Sequence, residues 1–190
     1  IPASFSAYVS GNAYEYDPKL AKQIVEENGL TGTTLNWVAT AGTTATLAEA
    51  VQGMLSEIGI KVKLDVVDFA TATGMWMTAG ATNFQLDGSS FSNDTRDPHN
   101  QYQMMLSTQT FPCCAKSDPQ LNELLNAARG TVDQSERDEL YKQIQSYLYE
   151  NFYEIPICEW SYAACFNDTI ANATLGDVTQ ANYRFVTPAA

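Results

Sequence analysis

The apolar positions of this chain switch repeatedly between a helical and an alternating period, and each switch marks a boundary. Asp17-Pro18 supplies an N-cap followed by proline at the first helical position. Leu20, Ile24 and Val25 follow at helical spacing, and Gly29 closes the helix. Thr33 to Thr40 is β-branched and aromatic and predicts a strand. Gly42-Thr43-Thr44 opens a second helix with an apolar stripe of Leu47, Ala50, Val51, Met54, Leu55 and Ile58. At Gly59 the period drops from 3.6 to 2. Ile60, Val62, Leu64 and Val66 alternate with Lys61, Lys63 and Asp65, a strand that begins with almost no loop.

The pattern continues with a short helix over Thr71 to Ala79, striped by Ala72, Met75, Trp76 and Ala79, and a strand over Asn83 to Ser90. Ser92 to Asn100 is a polar turn, and Pro98 opens a helix to about Leu106. Ser107 to Lys116 reads as irregular. Ser117-Asp118-Pro119-Gln120 and Asp133-Gln134-Ser135-Glu136 each look like a capped helix start. The stripes behind them are Leu121, Leu124, Leu125 and Ala128, then Leu140, Ile144, Tyr147 and Leu148. Glu154 to Phe166 reads as two strands about a turn, Ala171 to Asn182 as a loop, and Tyr183 to Val186 as a last strand. Ile1 to Tyr16 lacks a period and reads as a surface arm. Helices interleaved with strands define an α/β class, a sheet flanked by helices.

Composition excludes several functions. A net charge of −12, with only ten Lys plus Arg, provides no basic stripe for nucleic acid. The nearly apolar run from Ile155 to Phe166 is too short to span a bilayer and carries Glu159. No signal peptide is visible, and a chain opening on Ile1 reads as a mature or excised piece. The four cysteines, Cys113, Cys114, Cys158 and Cys165, lack metal-ligand spacing. Cys158 and Cys165 would face each other if the residues between them turned a hairpin; otherwise all four are free or buried thiols.

Candidate chemistry is sparse. His99 is the single histidine, so any histidine-dependent triad must use it, and no G-x-S-x-G elbow accompanies it. No phosphate-binding glycine loop or zinc motif is present, and no cofactor is expected. The paired carboxylates Asp94 and Asp97 follow a strand end, where open α/β sheets place ligand sites. Asp97 also suits the N-cap of the helix after it, and Asp94 an Asx-turn. A free carboxylate at a cleft edge would accept a charge-assisted hydrogen bond from an ammonium group. Phe91 could pack on a ligand or in a core. N-x-[ST] tripeptides at Asn93, Asn167 and Asn172 matter only in a eukaryotic secretory host.

Six phrases, in one order along nearly the whole chain, carry a resemblance. Asp17 to Gly29 resembles the "YDPxKAKxLLxEAG" helix of oligopeptide- and dipeptide-binding proteins of ABC importers, the family 5 extracellular solute-binding proteins. Leu55 to Phe69 resembles their "LxxIGIKVxxxxxD", and Asn83 to Pro98 their "FDMxxxGWxxDxxDPDN". Asp118 to Ala128, Glu136 to Tyr149 and Ile155-Pro156-Ile157 are similar to "SNPExDxLLxxAR", "xERxxLYxxxQxxLxE" and "xxPxIPL".

The resemblance implies a periplasmic-binding-protein-like (type II) lobe, a mixed sheet flanked by helices. Residues 1–190 would be the C-terminal portion of a two-lobed protein whose first lobe and lipoprotein signal lie elsewhere. It implies a bacterial, non-enzymatic, extracytoplasmic component, periplasmic or lipid-anchored, that binds peptides between lobes and delivers them to an ABC permease. In the family the aspartate three positions before Asp-Pro binds the peptide amino group, which here is Asp94. Phe91, Ser92 and Asn93 would shape that rim. The chain departs from the pattern at Ser90 and Phe91, where Gly-Trp is usual, and at Gln85 and His99, where aspartates are usual. The same scaffold also serves nickel complexes and sugars, and a sensory module without transport is a further reading.

Overall fold

The structure, a computed structural model, describes all residues except 12–13, 79–82, 89–92, 94, 96, 107–117, 160–162, 164, 176–180, 183–185 and 190. At 103–106, 174–175 and 181–182 it describes the backbone alone. The chain divides into two compact units, one of residues 13–90 with 104–118, the other of 1–12, 91–103 and 119–190.

The first unit is built on three parallel strands. Helix α1 (Pro18–Glu27) starts where the Asp17 carboxylate accepts from the amides of Lys19 and Leu20. Only Val25 of its stripe is buried; Leu20 and Ile24 are about half exposed. Strand β1 (Thr34–Thr40) is central, with β2 (Lys61–Val67) on one side and β3 (Leu86–Gly88) on the other. Helix α2 (Thr43–Glu57) makes the crossover from β1 to β2 that a parallel pair requires, and packs on both strands.

The predicted junction at Gly59 holds in detail. Gly59 adopts a φ of 91°, a left-handed conformation natural to glycine. The Ile60 amide reaches back to Leu55 O at 3.0 Å and closes the end of α2. The Gly59 carbonyl accepts from the Gly32 amide at 2.8 Å, and the Lys61 amide donates to Thr33 O at 2.8 Å. These bonds set the register in which Lys61 pairs with Thr34 and Leu64 with Trp37. A Cβ at Gly59 would also meet Thr31 Cγ2 at 3.3 Å.

On one face of the sheet Trp37 and Ala39 meet Ala48 of α2, with Val51, Val62, Leu64 and Leu86 around them. The face of α2 toward the sheet thus centres on Ala45 and Ala48, while Met54 is half exposed. Small residues let the helix approach the indole of Trp37. Val66 is 48% exposed although it alternates with the core positions, because the packed face ends at Leu64. Val38, by alternation, points to the other face, and helix α3 (Phe69–Trp76) packs on β1. This helix starts two residues earlier than the sequence pattern predicts because Asp68 caps it, accepting from the Thr71 amide at 3.0 Å and its hydroxyl at 2.7 Å. The predicted strand over Asn83 to Ser90 is short among the described residues. Its first rung uses a side chain: Gln85 Oε1 accepts from the Asn36 amide, and the Gln85 amide donates to Asn36 O, both at 2.9 Å.

The second unit is mainly helical. Helices α4 (Pro98–Leu106), α5 (Pro119–Gly130) and α6 (Gln134–Glu150) fall where expected. Asp133 caps α6 by accepting from the Glu136 amide. Leu121, Leu125 and Ala128 of α5 and Tyr141, Ile144 and Leu148 of α6 are buried, and α5 packs on α6. The N-terminal arm is docked rather than loose. Ala7 is fully buried, and the Gln145 carboxamide of α6 donates to Ala7 O and accepts from the Val9 amide.

Two expectations fail in this unit. Glu154 to Phe166 contains no strand among its described residues; the strands are β4 (Ile170–Ala171), β5 (Thr174–Leu175), β6 (Ala181–Asn182) and β7 (Thr187–Pro188), paired antiparallel as β4–β7 and β5–β6. Ile155 and Ile157 are 65% and 59% exposed, and Pro156 lacks the amide that a ladder needs. The predicted loop from Ala171 to Asn182 therefore carries strand residues. Of the predicted strand Tyr183 to Val186, only Val186 is described, and it lies outside any strand. Cys158 and Cys165 are exposed free thiols, not a pair. Cys113 and Cys114, and the segment Ser107 to Lys116, lie outside the described residues.

Candidate functional site

Asp94, Phe91 and Ser92 lie outside the described residues. The site is therefore built from the residues that hold its surroundings in the second unit: Asn93, Asp97, His99, Arg137 and Tyr141.

Asn93 uses its carboxamide on the backbone of Asp97. Its Oδ1 accepts from the Asp97 amide at 3.2 Å, and its Nδ2 donates to Asp97 O at 2.9 Å. Thr95 adds a hydroxyl contact to Asn93 Oδ1 at 3.3 Å. Asp97 caps α4 as expected, because Pro98 at the first helical position leaves the next amide free to be capped. Its Oδ1 accepts from the His99 amide at 2.8 Å.

The same Oδ1 takes a 2.7 Å bond from Arg137 Nη2 on α6. Arg137 is held in turn by three further contacts. Its Nε donates to Ala128 O on α5 at 3.1 Å, and Nη2 donates to Tyr141 Oη at 3.2 Å. The guanidinium carbon lies 5.1 Å from the centroid of the Tyr141 ring. Tyr141 stacks on Tyr102 of α4, with centroids 6.2 Å apart, and both tyrosines are fully buried. A chain of contacts thus runs from two buried rings through a guanidinium to Asp97 and, through its backbone, to Asn93.

The electrostatics follow from this arrangement. Burial alone would raise the Asp97 carboxyl, but the Arg137 hydrogen bond and charge and the His99 amide outweigh it and hold it below its ordinary value. Asp97 is therefore kept ionised and is unsuited to act as a general acid. Burial holds the His99 imidazole below 6.5, and Asp97 opposes that effect while Arg137 and Arg129 reinforce it. His99 Nδ1 is buried without a hydrogen-bond partner among the described residues, which also disfavours adding a proton.

A folded-state value below 6.5 means that the unfolded chain binds this proton more readily. The contribution of His99 to stability is complete above pH 6.5 and is lost as pH falls below it. As the only histidine, His99 gives one imidazole signal. That signal is expected to titrate below 6.5 by NMR, and lower still in Asp97→Asn, which removes the group that favours the charged ring. A midpoint at or above 6.5 would contradict the buried geometry.

No group of three or more potential metal ligands occurs among the described residues. No helix of the described chain is long and apolar enough to cross a membrane. A solvent-open groove of about 490 Å³ lies along α5 and α6 beside Val9, and none of the described residues among 93–99 lines it. Arg137 and Tyr141 escape sequence reasoning as site residues, and Asn93, expected at the rim, is not foreseen as a clamp on the Asp97 backbone. Their only signals are spacings of four, Arg137 to Tyr141 along a helix and Asn93 to Asp97 along a loop.

The family model described as bacterial extracellular solute-binding proteins, family 5, middle part, matches residues 1–112, more than half of the chain. The chain belongs to that family of bacterial extracellular solute-binding proteins. Its fold is that of a type II periplasmic binding protein. It is similar to the periplasmic binding protein DppA of Helicobacter pylori in complex with the peptide STSA, at 25% identity and a TM-score of 0.69, over 82% of this chain and 31% of that one. It is equally similar to a dipeptide-binding protein of Pseudoalteromonas in complex with Met-Leu, at 25% identity and 0.69, over 80% of this chain and 32% of that one. AgaA of A. tumefaciens, in complex with agropinic acid, matches at 26% identity and 0.64, over 79% and 32%. The chain thus spans about a third of the length of these proteins. No curated protein matches it.

Proposed function

We propose that residues 1–190 are the C-terminal portion of the substrate-binding component of an ABC importer, which binds peptides between two lobes and passes them to a membrane permease. The protein would act outside the cytoplasm, periplasmic or lipid-anchored, with its first lobe outside this segment. The observation that carries the peptide reading is the likeness to two peptide-bound relatives at 25% identity, joined to an aspartate three residues before Asp97-Pro98. Asp94 would accept from the peptide ammonium, with Phe91 and Ser92 at the same rim. Asn93 would serve by holding the turn, since its carboxamide is occupied by the Asp97 backbone. An enzyme using Asp94 and Asp97 as a carboxylate pair is disfavoured, because Asp97 is locked in an ion pair with Arg137.

In the full-length protein, Asp94→Ala is expected to weaken free-amine peptides by about 1.5–3 kcal/mol, a lost charged hydrogen bond. N-acetylated peptides should bind alike to both forms. Calorimetry showing equal affinity of the parent protein for free and acetylated peptides would remove Asp94 from the site. A second reading, a different solute, is favoured by AgaA and its agropinic acid. Mass spectrometry of ligand retained through purification separates the two.

A further inference from the structure

Just past α6 the second unit carries an exposed apolar ribbon. Phe152 ends the helix in a left-handed turn, with a φ of 55°, and the Tyr153 amide returns to Leu148 O at 3.0 Å. Glycine fits such a turn without strain, yet the position holds a phenylalanine that is 72% exposed. Ile155 and Ile157 follow, each more than half exposed. Pro156 restricts Ile155 to an extended conformation, and in an extended segment residues two apart share a face. The two isoleucines therefore stand side by side toward solvent, while Glu154 before them is partly buried. Pro156 bars a hydrogen-bonded ladder only on its own edge. The amides and carbonyls of Ile155 and Ile157 lie on the opposite edge, where a strand can still be added.

The beginning of residues 1–190 lies at this ribbon. The Ile1 nitrogen, through which any preceding residue is joined, stands 3.3 Å from the Tyr102 hydroxyl and within reach of the charges of Glu154 and Glu159. The Ala3 amide donates to Glu159 Oε1 at 3.1 Å. In a longer polypeptide the residues before Ile1 thus emerge beside Ile155 and Ile157. The part matched here is 31–32% of the peptide-bound relatives, so about two thirds of their length lies outside it. A segment tethered at Ile1 meets the ribbon at an effective concentration on the order of millimolar, which a free partner rarely reaches. A second copy would have to bring another charge of −12 to the same surface.

We propose that the ribbon from Phe152 to Ile157 is an interface for the polypeptide that precedes Ile1 in the full-length protein: an extended apolar stretch of that polypeptide lies on Ile155 and Ile157 and pairs with their backbone edge. This rests on the reading of residues 1–190 as the C-terminal portion of a longer protein. The division of labour is that of strand addition, with main-chain bonds holding the stretch and the isoleucines selecting apolar residues in it.

The test is photocrosslinking of the full-length protein, with a benzophenone side chain in place of Ile157. The expected product is an internal crosslink to a residue upstream of Ile1. A crosslink within residues 1–190 overturns the proposal. So does one between two copies, detected by mixing isotopically light and heavy protein, and so does the absence of any crosslink. Hydrogen exchange of the unsubstituted protein is the second measurement. The Ile155 and Ile157 amides should exchange at least about tenfold more slowly than in a free peptide of the same sequence. Exchange at the rate of the peptide overturns the pairing. The intact mass of the mature protein separates this interface from the reading beneath it. A mature chain beginning at Ile1 rejects both, whereas upstream polypeptide with a crosslink elsewhere rejects the interface alone.

Discussion

Tyr141→Ala is expected to lower stability by about 3–5 kcal/mol, the cost of removing a large buried aromatic side chain. Tyr141 is fully buried, stacks on Tyr102 and gives Arg137 both a ring face and a hydroxyl. Alanine leaves a cavity between α4 and α6 and frees one side of the guanidinium. Tyr141→Phe keeps the ring and removes only the hydroxyl, so it should cost about 1 kcal/mol. Denaturant unfolding of both variants checks the ratio; equal losses would mean that the hydroxyl, not the ring, carries the effect. Tyr141 also has an alkaline signature. Burial, with a smaller contribution from Asp97, pushes its hydroxyl up to about 12 against the opposing charge of Arg137. The folded chain therefore retains this proton longer than the unfolded chain. Stability from this group is complete below pH 10 and declines from 10 to about 12, and Tyr141→Phe should flatten that decline.

Trp37→Ala should have an effect of similar size, about 3–5 kcal/mol, in the other unit. Trp37 is 7% exposed at the centre of β1, with Leu64 and Leu86 directly beside it on the two neighbouring strands. The sheet makes room for the indole at Gly88, where a Cβ would stand 3.1 Å from Trp37 Nε1. Gly88→Val should therefore destabilise from the opposite direction, by crowding rather than by a void, at about 1–3 kcal/mol. Combining the two substitutions discriminates. Once the indole has been cut back to a methyl group, valine at position 88 should cost less than it does beside the intact tryptophan. Additive losses would place the indole elsewhere.

Most of the α/β framework is readable in the chain, because its punctuation is local. Asp17-Pro18, Gly59, Asp133 and the lysine alternation of β2 each act within a few residues, and each is found where the pattern puts it. The exceptions depend on distant partners. The apolar run Ile155-Pro156-Ile157 has strand composition but lies exposed without a strand partner among the described residues. The arm around Ala7 has no periodicity and is buried through Gln145, 138 residues away. The site divides the same way. The capping role of Asp97 is visible from Pro98, whereas its partner Arg137 lies forty residues downstream on a helix whose stripe reads only as core. Tyr141, outside the predicted stripe, is more completely buried than Leu140 or Tyr147 within it.

The three-residue junction around Gly59, between Glu57 of α2 and Lys61 of β2, acts as a ruler for the sheet. The Gly59 carbonyl is fastened to Gly32 and the next amide to Leu55, so the distance from the end of α2 to the first rung of β2 has no slack. Side chains of a strand alternate with a period of two. One extra residue between Gly59 and Lys61 would send Lys61 and Lys63 toward Trp37 and turn Val62 and Leu64 to water. Length at this point is thus constrained as tightly as the identity of Gly59, whose φ of 91° already calls for glycine.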